Sequence, residues 1–339
     1  MPFIVTLVRP YEQVQGGLTV PEWVTAAFAA QGIDFSLRDC LSREQLAQHA
    51  GESDVVWVFG DHHVVTADNL DVLPACGAIL STGSGTDHIP VAEATARGII
   101  VANTPGATSE AVSDHTIALL LAVKRTVVAQ DRALRSGRWD RHVWWPGPSL
   151  CGQTLGLIAF GHIGRLVARK MSGFKMTTLV FDPYVNQETF AAHGVIAVGL
   201  DELLTRADFV SLHCPLTLET HNLIGDRELK RMKPTAILIN TSRGQVVDET
   251  ALLRALSEGW IAGAGLDVFY IEETAVGNPF LNLDNVVATP HIGGFSDEDL
   301  ETFWRESMHV VLDLANGRWP RSHVNPGLQP KFDHMKAAN

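Results

Sequence analysis

Cysteine is scarce and scattered in this 339-residue chain: Cys40, Cys76, Cys151 and Cys214 lie far apart and form no CxxC pair. That spacing argues against a disulfide framework and a thiolate zinc site, and fits structural thiols in a reducing cytosol. Basic charge is also short. Against 38 Asp and Glu stand 26 Lys and Arg, a formal net charge of −12, and no Lys/Arg-rich run compensates locally. Without a basic face to release counterions from phosphates, nucleic acid is excluded as an expected partner. Long hydrophobic runs are missing too: the longest, Ile117–Val123, is too short to cross a bilayer. The opening Met1-Pro2-Phe3-Ile4-Val5-Thr6-Leu7-Val8 has no basic n-region and reads as a strand rather than a signal peptide. Low-complexity segments and short-period repeats are absent. His62-His63 and His213-Cys214 find no third ligand at useful spacing, and no H-E-x-x-H occurs, so no metal is expected. The expectation is a soluble, cytoplasmic protein without membrane or nucleic-acid partners.

What is present suits sizeable cores: 46% of residues are hydrophobic and 19% charged, in a length comfortable for two domains. Short β-branched runs alternate with helical stretches, the pattern of an α/β protein with parallel sheets and crossover helices. Candidate strands are Ile4–Val8, Val55–Phe59, Ala78–Ser81, Ile99–Ala102, Leu155–Phe160, Thr178–Phe181, Phe209–Leu212, Ala236–Asn240, Gly263–Asp267 and Val286–Ala288. Several are apolar throughout, as strands buried on both faces should be. Helices are predicted over Ser109–Arg125 and over Asp226–Met232, the latter stopped by Pro234. The segment Gly137–Gly152, with Trp139, Trp144, Trp145, Pro146 and Pro148, breaks this rhythm and reads as a long ordered loop.

The sharpest local motif is Leu155-Gly156-Leu157-Ile158-Ala159-Phe160-Gly161-His162-Ile163-Gly164. An apolar strand runs into a tight turn and then a helix, Ile163 to Met171, and a second strand ends at Asp182. This is a dinucleotide fingerprint in its required context. Gly161 lets the backbone approach a pyrophosphate, Gly164 lets helix and strand pack closely, and the helix N-terminus offers free N–H groups. Asp182 would accept hydrogen bonds from the ribose hydroxyls and repel a 2′-phosphate, which favours NAD over NADP. Ala159 replaces the first glycine of Gly-x-Gly-x-x-Gly; a methyl is compatible with making the turn.

Three further segments end predicted strands, where α/β enzymes bind ligands: Asn240-Thr241-Ser242-Arg243-Gly244, Gly265-Leu266-Asp267-Val268-Phe269-Tyr270-Ile271-Glu272, and Thr289-Pro290-His291-Ile292-Gly293-Gly294. Reducing a 2-oxo acid needs a cation for the carboxylate and ketone oxygens, a proton donor and a hydride source. Arg243 offers a permanently charged planar fork. His291 is the natural general acid, and a carboxylate beside it would favour the protonated form and fix its tautomer.

The order and spacing of these segments resemble the D-2-hydroxyacid dehydrogenases, and the resemblance extends across most of the chain. It includes Gly83-Ser84-Gly85-Thr86-Asp87, Asn103-Thr104-Pro105-Gly106 with Asp114-His115-Thr116, and His213-Cys214-Pro215-Leu216-Thr217 with Glu219-Thr220. The resemblance implies two doubly wound parallel-sheet domains. A flavodoxin-like substrate-binding domain would span 1–102 and 293–339, including a helix from about Asp297 to Asn316, and a Rossmann-type NAD-binding domain would span 103–292. It implies Arg243, Glu272 and His291 as catalytic residues, with Glu272 as partner of His291 and catalysis in a cleft closed by hinge motion. The implied cofactor set is Gly161, His162, Ile163, Gly164, Asp182, His213, Pro215, Thr220, Thr241, Ser242, Asp267 and Gly293, with Asp267 orienting the nicotinamide or Arg243. The backbone N–H groups of Ser84 and Gly85 would hold the substrate carboxylate beside Arg243 and His291. Similar proteins imply a homodimer formed through the cofactor domain, with Trp144 or Trp145 a candidate to reach the partner's site.

Within such enzymes, phosphoglycerate would call for an Arg in Val58–Thr66, where Gly60-Asp61-His62-His63 stands instead. Phosphite users carry a Lys near Thr82-Gly83, and formate users pair their His with Gln rather than Glu. A small unphosphorylated 2-oxo acid remains, glyoxylate or hydroxypyruvate ahead of pyruvate. The rival reading is an NAD(H)-sensing, corepressor-like binding protein without turnover; the lack of long terminal extensions speaks against it. An amino-acid dehydrogenase would need a Lys or Asp in place of the Glu272/His291 pair.

Overall fold

The computed structural model describes residues 2–9, 19–60, 63–139, 148–272 and 277–333. The chain packs as two compact units, one of residues 1–108 with 296–339 and one of residues 109–295.

In the first unit the strands are β1 (Phe3–Arg9), β2 (Ile33–Asp39), β3 (Val55–Val58), β4 (Ala78–Ser81) and β5 (Ile100–Ala102). They form one sheet in the order β2-β1-β3-β4-β5, parallel throughout. This is the flavodoxin-like winding. β3 to β5 are buried along their whole length, which is why they read as unbroken apolar runs. The helix Asp297–Ala315 returns to this unit, where Trp304 packs edge-on against Trp57 with ring centres 5.4 Å apart. Residues 103–108, expected in the cofactor domain, belong to this unit instead: the Asn103 N–H donates to the Ser322 carbonyl and the Thr104 N–H to the Gly83 carbonyl.

The second unit holds β6 (Thr154–Ile158), β7 (Thr177–Phe181), β8 (Ile196–Ala197), β9 (Phe209–Leu212), β10 (Ile237–Asn240), β11 (Gly263–Leu266) and β12 (Val286–Ala288). Their order is β12-β11-β10-β9-β6-β7-β8, again parallel throughout. The chain winds outward from β6 in one direction and resumes beside it at β9, so β6 and β9 flank the switch point of a Rossmann sheet. The expected fold class therefore holds for both units. The helix Ser109–Lys124 lies against β10, β11 and β12. It comes close because β11 is glycine-rich: a Cβ on Gly265 would stand 3.0 Å from Leu119 Cβ. Among the described residues no helix is long and apolar enough to cross a membrane.

Candidate active site

At the switch point β6 runs into Ala159, Phe160 and Gly161, and the helix His162–Met171 follows. Ala159 carries φ 73°, the left-handed conformation a glycine would adopt freely. A Cβ on Gly164 would lie 2.6 Å from the Ala159 carbonyl oxygen, so this position must stay bare for the helix to sit on the turn. Gly161 is bare for the opposite reason: an added Cβ would meet no protein atom within 4 Å. No side chain caps the helix, and its first-turn N–H groups are left for an anionic ligand. These features fit a dinucleotide pyrophosphate beside Gly161, His162, Ile163 and Gly164.

Asp182, just beyond β7, accepts the Phe160 N–H at 2.8 Å and the Tyr184 N–H at 2.9 Å. It braces the turn from the neighbouring strand. An open cleft of about 500 Å³ lies beside it, lined in part by Asp182, Gln187, Gly199 and Glu202 and, among the described residues, by no Lys or Arg. Across the switch point, His213 follows β9. Its N–H donates to the Ile158 carbonyl, and its ring lies near Gly164. His213 Nε2 pairs with Ser211 Oγ at 3.0 Å, whereas Nδ1 is buried and unpartnered. Burial pushes this imidazole down to about 4 from an ordinary 6.5, so it is neutral near pH 7. The Pro215 loop is stitched by Thr220, whose hydroxyl donates to the Pro215 carbonyl at 2.6 Å and accepts the Thr217 N–H at 2.8 Å.

The remaining candidates gather at the ends of β10, β11 and β12. At the end of β10, Asn240 shapes the following loop by accepting the Ser242 N–H and donating to the Arg243 carbonyl. Thr241 is buried against Thr116 at 2.8 Å, and Arg243 Nη1 donates to the Ser242 carbonyl at 2.9 Å. Gly244 lets this loop touch the one after β11, since a Cβ there would fall 2.1 Å from the Phe269 carbonyl carbon. On that second loop Glu272 Oε2 meets His291 Nδ1 at 2.6 Å, both side chains about one-third exposed. The expected carboxylate–imidazole pair is thus assembled.

Asp267 is buried and its carboxylate faces the His291 loop: Thr289 Oγ1 donates at 2.5 Å, the Ile292 N–H at 3.0 Å and the Gly293 N–H at 2.8 Å. Burial alone would raise its pKa, but hydrogen bonds from His115, Thr289, Ile292 and Gly293 hold it below the usual carboxylate value. Its oxygens therefore serve this loop, a role the sequence did not indicate, since Asp267 was expected to orient the nicotinamide or Arg243. A Cβ on Gly293 would lie 2.7 Å from Asp267 Oδ2, which explains the glycine. In the sequence, His115 and Thr116 stand only as part of a motif. Their i, i+1 placement on a helix gave no hint that each would hold a different loop.

Ser84 and Gly85 belong to the first unit. There the Asn103 side chain holds the Ser84 carbonyl at 2.7 Å and Ser81 Oγ holds the Gly85 carbonyl at 2.9 Å. Among the described residues neither Ser84 nor Gly85 donates its own N–H to the protein, so the loop presents two amides suited to an anion. Trp144 and Trp145 lie outside the described residues.

Phosphate-ready amides at a Rossmann switch point, with a guanidinium and a carboxylate-paired imidazole on the next loops of the same sheet, define a nicotinamide-dependent oxidoreductase. The family model described as "D-isomer specific 2-hydroxyacid dehydrogenase, NAD binding domain" matches residues 117–293. A glyoxylate reductase of Korarchaeum cryptofilum is 43% identical over 265 residues, covering 77% of this chain and 80% of that one. The chain belongs to the D-isomer specific 2-hydroxyacid dehydrogenases, with NAD as cofactor. A glyoxylate reductase of Pyrococcus furiosus is 43% identical over 291 residues, 84% of this chain and 86% of that one. Among solved structures, a D-lactate dehydrogenase of Aquifex aeolicus, complexed with NAD and lactic acid, superposes with a TM-score of 0.79 at 30% identity, covering 92% of this chain and 96% of that one.

Proposed function

We propose that this dehydrogenase reduces small unphosphorylated 2-oxo acids, glyoxylate first and hydroxypyruvate next, as a cytoplasmic homodimer that prefers NADH to NADPH. The observation that carries the reading is the 2.6 Å pairing of Glu272 with His291 Nδ1, with the loop that leads to Glu272 set against the Arg243 loop at Gly244. With Nδ1 so held, Nε2 is the nitrogen that delivers a proton to the ketone oxygen. Arg243 binds the substrate carboxylate and polarises the ketone. The Ser84 and Gly85 amides, which donate to no protein acceptor among the described residues, suit a carboxylate. Bound NADH supplies the hydride. Asp267 fixes the loop of the acid, Thr241 and Ser242 shape the loop of the cation, and His213, Pro215 and Thr220 line the cofactor side. The NAD-sensing alternative is not favoured, because a proton donor with its orienting carboxylate serves turnover rather than sensing.

Preference for NADH is supported by the two carboxylates, Asp182 and Glu202, on a cleft that carries, among the described residues, no Lys or Arg to receive a 2′-phosphate. The homodimer is supported by the helix Val127–Arg135 and the residues after it, where Val127 is 54%, Leu134 51% and Trp139 76% exposed. The cytoplasmic assignment is supported by buried Cys40, Cys76 and Cys214, whose thiols burial pushes up to about 11 or 12. Following NADH absorbance with a panel of 2-oxo acids tests the activity. Turnover should be fastest with glyoxylate and hydroxypyruvate and slower with pyruvate. Tight NADH binding with no turnover of any panel member would overturn the reading.

A further inference from the structure

His291 has φ 53°, a left-handed backbone that costs a residue with a Cβ about 1–2 kcal/mol. Such a conformation persists only where its surroundings over-determine it. Here Asp267 does much of this: its carbonyl accepts the His291 N–H at 2.8 Å, and its carboxylate takes the two following N–H groups and the Thr289 hydroxyl. The clamp has one further member from a distant element. His115, on the helix Ser109–Lys124, places Nε2 at 2.8 Å from Thr289 Oγ1 and 3.3 Å from Asp267 Oδ1.

The hydrogens on this chain follow from its geometry. Thr289 gives its only hydroxyl proton to the Asp267 carboxylate, so its oxygen must accept from His115, which fixes the Nε2–H form. Without that donor, Thr289 loses the contact that holds its oxygen to the helix, and the clamp on the left-handed residue loosens. We propose that His115 is a positioning residue for the reaction, acting through Thr289 and Asp267 to hold the His291 imidazole where proton transfer occurs. This rests on the reading of His291 as the acid. A misplacement of about 1 Å costs on the order of 100-fold in rate, so a small relaxation of this loop is readable in turnover.

The test is a double-mutant cycle with His115→Ala and His291→Ala. His115→Ala should lower kcat on the order of 10- to 100-fold, leave the NADH Kd by fluorescence titration nearly unchanged, and speed amide exchange of residues 289–294 without cofactor. His115→Gln, which restores a donor to Thr289, should recover most of the loss. His115→Leu, which keeps bulk without a donor, should behave like alanine and serves as the test variant if alanine does not fold. In a His291→Ala background, replacing His115 should cost nothing further. Equal losses in both backgrounds, or an NADH Kd that worsens in parallel with kcat, would overturn the positioning role. Near-parental turnover by His291→Ala alone would instead defeat the reading of the acid.

Discussion

Asp182 braces two backbone donors with one carboxylate. Oδ2 receives Phe160 and Oδ1 receives Tyr184, yet each oxygen keeps a lone pair for a ribose hydroxyl. Asparagine would remove the charge but keep only one of these two acceptors, because its other terminus is a donating NH2. Asp182→Asn should raise the ratio of kcat/KM for NADPH over NADH by tenfold or more and lower the melting temperature by less than alanine does, since one of the two backbone donors keeps its acceptor. Asp182→Ala should raise the ratio as well, but also weaken NADH binding and lower the melting temperature, because two backbone donors lose their acceptor. An unchanged ratio in the asparagine variant would remove this charge from the selectivity argument. The sequence made Asp182 visible as a carboxylate after the second strand of the cofactor fold. Its grip on Phe160 was not visible, nor was the left-handed backbone of Ala159. A one-dimensional motif states which residues surround a turn, but not which of them must rotate to a positive φ.

At the scale of elements, two glycines at strand ends are bare for opposite reasons, and one experiment separates them. The space around Gly244 is filled by the backbone of Phe269 and Tyr270, whereas Gly161 faces open space. Gly244→Ala should destabilise the protein by on the order of 3 kcal/mol and cut kcat at least tenfold, since the Arg243 loop must move off the loop carrying Glu272. Gly161→Ala, at φ −76°, should melt like the parent and raise the NADH Kd, because the methyl stands where the pyrophosphate approaches. Matching melting temperatures for the two variants would contradict this assignment. Elements also divide by how readily they could be read. The strands buried on both faces were anticipated as apolar runs. β2, Ile-Asp-Phe-Ser-Leu-Arg-Asp, was not, because it is an edge strand, mostly only partly buried, whose apolar residues are separated by polar ones and form no unbroken run. β8 is two residues at an edge of the other sheet, too short for any period to register. The set proposed as catalytic was legible because each member follows a strand in a distinctive order. The brace supplied by His115 was not, because it joins residues far apart in sequence.

For the whole molecule, the His213 imidazole links cofactor-site architecture to acid stability. Burial lowers it to about 4 from 6.5. Above pH 6.5 both folded and unfolded chains carry it neutral, and it contributes no pH dependence. Between pH 6.5 and 4 the unfolded chain binds a proton that the folded chain refuses, so stability falls with pH across that window. The loss reaches about 2 kcal/mol by pH 5. Asp267 acts in the same direction lower down: its depressed value means stability present above the ordinary carboxylate range and lost as pH falls through the folded value. Removing only the first effect isolates it. His213→Asn should flatten the decline in melting temperature between pH 7.5 and 5 by roughly 4–8 °C for the transition of the cofactor-binding unit. Comparison with the parent, transition by transition and without cofactor, is required because a chain of two compact units need not melt in one step. Parallel declines in the two proteins would mean that the imidazole takes up its proton in the folded state as easily as in water, and that the unpartnered Nδ1 is not sealed from solvent as its burial implies.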